Sequence, residues 1–127
     1  MRLLYALPIV LVFAANAYAN FSVVSEGVPA CSIIRADDAH PAVQRAAQEL
    51  QEYVKRSTGA ELPIATHAEG AAIELRVGDW QGYPTTPLQR ATDAYEIRVS
   101  ADGIVIEGPD PGCVLFGADD FLRRFVG

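Results

Sequence analysis

The chain has 127 residues, half of them hydrophobic, with ten basic side chains against sixteen acidic ones and a formal charge of −6. That length holds one small domain with a single core, and the acidic balance excludes the electrostatic footprint that binds nucleic acid or an anionic membrane. Neutral partners, sugars included, remain compatible with it.

Arg2, the apolar run Leu3 to Ala15 and the small-x-small triplet Ala17-Tyr18-Ala19 form the three regions of a secretory signal peptide cut after Ala19. Pro8 and the shortness of the run argue against a permanent membrane span, which needs about 20 apolar residues. The expected organisation is a signal peptide over residues 1–19 and one domain over 20–127, exported to the periplasm or beyond and off the membrane after cleavage. The exported part keeps nine basic and sixteen acidic side chains, a charge near −7. An even cysteine count in an oxidising compartment allows a disulfide between Cys31 and Cys113; two buried free thiols are the alternative. Neither cysteine, nor His40 or His67, has the spacing of a metal site.

Phe21 to Ser25 and Ser32 to Ile34 are β-prone runs divided by Gly27 and Pro29, and predict an opening strand or hairpin. Asp37-Asp38-Ala39-His40-Pro41 predicts a helix start, with acidic residues near the positive end of the dipole and proline in the first turn. Val43, Ala46, Ala47, Leu50, Tyr53 and Val54 follow at helical spacing, and Gly59 is placed to end the helix. Leu62 to Ala65 and Ala72 to Val77 predict strands, the second with Ile73, Leu75 and Val77 on one face. Gly78 to Arg90 reads as a surface loop around Trp80 and Tyr83.

Tyr95, Ile97 and Val99 alternate with polar residues, Ser100 to Gly103 carries turn chemistry, and Ile104-Val105-Ile106 returns as a second strand. Gly108-Pro109-Asp110-Pro111-Gly112 breaks the strand. Val114, Leu115, Ala118, Phe121, Leu122 and Phe125 then mark a helix, with Gly117 where two backbones could approach closely. Its apolar stripe needs a cover, and the sequence stops at Gly127, so the chain reads as the front of a larger protein. Strands interleaved with two amphipathic helices predict an α+β, sandwich-like fold: a mixed sheet with both helices packed on it.

Two segments together resemble a known module. Ala46 to Tyr53 followed by Ser57-Thr58-Gly59-Ala60-Glu61-Leu62-Pro63-Ile64 is similar to the helix-then-TGxxLPI segment of the N-terminal domain of bacterial alpha-glucuronidases. A similar domain precedes the barrel of beta-hexosaminidases. Ala94 to Ile97, Asp102 to Gly108 and Gly112 to Leu122 look like the dGxxIxG…RGxLYGxxxfL segment that closes the same domain, with Pro111 where arginine is common and Phe116 where tyrosine is common. In this pattern Gly112 and Gly117 are expected to relieve crowding where the last helix meets the sheet. The resemblance implies a partner, a catalytic barrel normally C-terminal to this domain and absent from this chain. It also implies that the catalytic carboxylates lie in that barrel.

The residues themselves offer no pair of carboxylates spaced for glycoside hydrolysis. Asp79, Asp93, Asp119 and Asp120 are candidates, but Asp119 and Asp120 point about 100° apart on a helix and read as its solvated face. Cys113 lacks a nucleophile-elbow context. No catalytic, cofactor-binding or metal-binding residue is assigned, and no cofactor is expected. Trp80 and Tyr83 are the one feature that suggests a carbohydrate contact, against an alternative in which Trp80 folds back as a loop anchor. The expected role is a non-catalytic accessory domain of an exported, alpha-glucuronidase-like glycoside hydrolase. The alternative is a self-standing secreted carbohydrate-binding or protein-interaction module.

Overall fold

The computed structural model describes residues 10–13, 16–80 and 94–126. Nine strands and two helices follow in the order β1 (Val10–Phe13), β2 (Asn16–Ser22), β3 (Val24–Ser25), β4 (Val28–Pro29), β5 (Ser32–Ile34), α1 (Pro41–Thr58), β6 (Ile64–Ala65), β7 (Ala72–Val77), β8 (Glu96–Ser100), β9 (Gly103–Gly108) and α2 (Pro111–Phe125). The central sheet has five strands in the order β6-β5-β7-β9-β8. β6, β5, β7 and β9 run parallel, and β8 returns antiparallel beside β9. The fold is therefore the mixed sheet with two helices that the sequence predicts. β1 and β2 form a separate antiparallel ribbon, and β3 and β4 a short hairpin. Glu26 and Gly27 turn that hairpin with φ of 53° and 79°, the left-handed geometry of a type I′ turn.

Register explains which face of the sheet is apolar. Ile64, Ile33, Ile73, Ile104 and Val99 are paired neighbours in one row across all five strands, and Leu75, Ile106 and Ile97 form the next row. Ile33, Ile73, Ile104, Ile106 and Leu75 are buried, and Ile64, Ile97 and Val99 pack against them. The side-chain period of two turns the intervening residues to the other face, where Glu74, Arg76, Glu96, Arg98 and Glu107 gather.

Both helices complete the core. α1 buries Val43, Ala46, Ala47, Leu50 and Val54, and α2 buries Val114, Ala118, Phe121 and Leu122. The apolar stripe of α2 is thus covered inside the chain by the sheet and α1. Tyr53, expected on the buried side of α1, lies on its flank at 45 % exposure, with the Arg56 guanidinium 5.1 Å above its ring. Val77 is 47 % exposed because it stands at the carboxyl end of β7, past the residues that α2 covers.

The ends of the helices follow local chemistry. His40, not Asp37 or Asp38, caps α1: its Nδ1 accepts the Ala42 N–H at 3.0 Å, and Pro41 opens the first turn. Gly59 ends the helix with φ of 82° and gives its N–H to the Lys55 carbonyl at 2.8 Å. The strand expected over Leu62 to Ala65 shortens to Ile64–Ala65, because Pro63 has no N–H to pair. Its carbonyl still accepts the Ile33 N–H at 2.8 Å. Asp110 caps α2 by accepting the Cys113 N–H at 2.9 Å, so the segment that breaks β9 also starts the helix.

α2 sits hard against β9 and the start of β8. A Cβ on Gly117 would lie 2.8 Å from Ile106 Cγ2 and 3.2 Å from Tyr95 Cβ, the close approach anticipated from the sequence. Gly112 relieves no such crowding, since its nearest neighbour would be Asp110 Oδ1 at 3.4 Å. Gly108 does so instead: a Cβ there would meet Cys113 Cβ at 2.7 Å and the Val114 nitrogen at 3.0 Å. Gly108→Ala should therefore lose about 1–3 kcal/mol through overpacking. Gly112→Ala should be neutral or gain up to about 1 kcal/mol from helix propensity. Urea unfolding midpoints of the two variants check this contrast.

Candidate functional site

α1 and α2 lie side by side, and an open groove of about 440 Å³ runs along their seam, lined by Glu49, Tyr53 and Ser57 of α1 and by Asp119, Leu122, Arg123 and Val126. Glu49 lines it from α1 and Asp119 from α2. Burial and then the bond with Glu49 push the Asp119 carboxyl up to about 6, whereas the bond from Asp119 holds Glu49 below its ordinary value. Arg45, one turn before Glu49, donates from Nε to Glu49 Oε2 at 2.8 Å and fixes the charge there. Glu49 was not distinguishable in the sequence, because its only visible partner is the local one at Arg45.

Asp120 points the other way. It is 9 % exposed, accepts the Tyr95 hydroxyl on Oδ2 at 2.5 Å and accepts Arg124 Nε on Oδ1 at 3.0 Å. These bonds, that from Tyr95 first, hold its carboxyl below the ordinary value, and the same bond raises the Tyr95 phenol. The expectation that Asp119 and Asp120 form a solvated face is thus corrected: one faces α1 and the other ties α2 to the entry of β8. Among the other carboxylates, Asp37, Asp38 and Asp79 are exposed, as is His67. Asp93 lies outside the described residues.

On the opposite face of the sheet Trp80 folds back onto β9, where its Nε1 donates to Glu107 Oε2 at 3.0 Å. Arg98 Nη2 donates to Glu107 Oε1 at 2.9 Å, and Arg76 stands 3.7 Å from the same oxygen. The Trp80 bond, followed by that of Arg98, keeps Glu107 ionised below its usual range. Arg98 also pairs with Glu96, and Arg76 with Glu74 at 2.9 Å. Tyr83, the other aromatic candidate for a sugar contact, lies outside the described residues. Cys31 and Cys113 are both buried as thiols, and burial pushes Cys31 up to about 12.

What this arrangement can do chemically is limited by one spacing. A glycosidase holds its two carboxyls about 5–9.5 Å apart so that a glycosidic bond fits between them. Asp120 is committed to Tyr95 and Arg124, and Glu107 to Trp80 and Arg98, which takes both out of such a pair. Among the described residues no three histidines, cysteines or carboxylates gather into a metal-binding group.

The fold is an α+β module built on one five-stranded mixed sheet and two helices. Residues 23–123 match the family model described as glycosyl hydrolase family 20, domain 2, and the chain belongs to that family. Domains of this type normally lie next to a catalytic barrel. The match is to the hexosaminidase-type module and does not carry the alpha-glucuronidase name. A comparison with curated proteins returned no match.

The Tyr95–Asp120 bond anchors α2 to the sheet, so Tyr95→Phe should cost about 1.5–3 kcal/mol at neutral pH, the range for a bond to a charged group. The sign follows from the depressed Asp120 carboxyl: its contribution is present above the ordinary value of 3.8 and lost as pH falls through the lower folded value. Urea denaturation of both proteins from pH 7 into acid should show the deficit shrinking on acidification.

Proposed function

We propose that this chain is the non-catalytic accessory domain of an exported glycoside hydrolase and that it packs beside a catalytic barrel joined at its C-terminal side. The observation that carries this reading is that the buried carboxylates hold the domain together, Asp120 bonded to Tyr95 and Arg124 and Glu107 to Trp80 and Arg98. The family match supplies the hydrolase context. The sugar cleaved by the barrel is a hexosaminide if the family 20 relationship extends to it, and a glucuronide if the resemblance of the Thr58 to Ile64 segment does.

Export rests on residues 1–19 acting as a cleaved leader. In support, β1 belongs to a ribbon of its own and shares no ladder with the five-stranded sheet, so cleavage after Ala19 leaves that sheet and both helices whole. N-terminal sequencing of protein recovered outside the cytoplasm should begin at Asn20.

The purified chain should show no turnover of aryl N-acetylhexosaminides or aryl glucuronides. Sequencing of the encoding DNA past codon 127 should reveal the barrel, and the enzyme carrying it, assayed on both substrates, decides between the two sugars. Saturable hydrolysis by the chain alone, abolished in Glu49→Gln or Asp119→Asn, would overturn the accessory role.

A further inference from the structure

We propose that β8 is a self-recognising edge: two copies of this chain pair along it, antiparallel about a two-fold axis at Ile97, and join their sheets into one. That edge is set by the strand order and does not depend on the barrel packing proposed above.

β8 closes the strand order and, among the described strands, pairs with β9 alone. β2 runs close to it without forming a ladder. Antiparallel neighbours alternate between pairs that exchange hydrogen bonds and pairs that do not. The turn fixes which is which: Ser100 pairs with Gly103 across two residues, so Arg98 with Val105 and Glu96 with Glu107 are the bonded pairs. The other side of β9 agrees, since the carbonyl of Gly108, of the opposite parity, accepts the Gly78 N–H at 2.8 Å on the β7 side. Ile97 and Val99 therefore direct their N–H and C=O groups outward along the edge, where they form a template for another strand.

Side-chain faces and charge select the occupant and its register. A slip by one residue sets the apolar face of one copy beside the polar face of the other. Of the neighbouring registers that keep the faces, one places Arg98 against Arg98 of the second copy and another Glu96 against Glu96, and like charges directly opposite oppose pairing. Centring on Ile97 removes both conflicts. Each Arg98 then lies opposite Glu96 of the second copy on the exposed face, and Ile97, only partly buried in the single chain, lies opposite Ile97. Glu96 gains most, because within its own chain its partner on β9 is the like-charged Glu107. The helices leave room as well. α2 packs over β9, so the two α2 helices would stand three strand spacings apart, about 14 Å, where packed helices need only about 8–10 Å.

The test begins with the native chain. Sedimentation of the full chain should show a monomer–dimer equilibrium, and the amides of Ile97 and Val99 should exchange hydrogen freely in dilute protein and become protected at high concentration. Arg98→Glu and Glu96→Arg each set like charges opposite one another and should weaken the dimer about tenfold. Mixed together, the two variants restore glutamate against arginine at both positions and should associate as the wild type does, a recovery that misfolding cannot imitate. A full chain that stays monomeric at every concentration overturns the proposal. So do dimers that neither variant weakens, or folded variants that fail to complement one another. Ile97 and Val99 amides protected equally in dilute and concentrated protein would show another segment of the chain covering the edge, and overturn it too. The native-chain measurements decide the matter even where a variant folds poorly.

Discussion

Both helices are required to cover the same face of one narrow sheet, and this constraint shapes everything else. The paired rows that begin with Ile64, Ile33 and Ile73 present a continuous apolar strip, and a strip of that width is covered by two helices lying side by side, about 8–10 Å between axes. α2 cannot float above the sheet: Gly117 lets it settle onto Ile106 and Tyr95, and Gly108 lets its first turn follow directly on β9. Once α2 is held so low, it has a neighbour on each flank. Its polar residues then have to find partners within the domain, because full solvent is out of reach on both sides.

That confinement accounts for the two adjacent aspartates. Residues 119 and 120 project about 100° apart, so on a helix with neighbours on both flanks one is directed at α1 and the other at the segment entering β8. Asp120 reaches a phenol and a guanidinium and stays ionised. Asp119 lines the groove beside α1, where burial first of all pushes its carboxyl up to about 6. The opposite face of the sheet resolves its charges within itself. Arg76 and Arg98 alternate there with Glu74, Glu96 and Glu107, and Trp80 closes over Glu107. Exposed pairs of this kind add little stability individually. Glu107 differs because its side chain is only 13 % exposed and three donors converge on it.

Periodicity made much of this architecture legible. The stripe from Val43 to Val54, the alternation in β7 and β8 and the Ser100 to Gly103 turn each depend on residues a few positions apart, and each appears as the sequence predicts. What escaped was either atypical local chemistry or a long-range meeting. Histidine is an uncommon cap, so the start expected over Asp37 to Pro41 does not by itself single out His40, and no acidic residue falls in the first turn. Proline and glycine around Asp110 signalled a break and concealed a helix start. The pairing of Tyr95 with Asp120 joins positions far apart in sequence and depends on how two finished elements are laid together. No local pattern announces such contacts. Tyr53 shows the same limit from the other side: its spacing fits the apolar stripe, but the flank on which it falls is only partly covered.

The placement of the described carboxylates shows what they do for the fold. Glycoside hydrolysis needs an acid and a second carboxylate held apart, each presented to a sugar from opposite sides of the bond that breaks. A domain whose buried carboxylates are tied to a phenol, an indole and arginines has used them to fix its own elements. Two of them show that use: Asp120 with Tyr95 and Arg124 at the flank, and Glu107 with Trp80 and Arg98 on the sheet. Each is a link between elements that would otherwise meet only through apolar contacts. Such links fix one relative placement of α1, α2 and the sheet, so that the domain presents a single fixed shape to whatever packs against it.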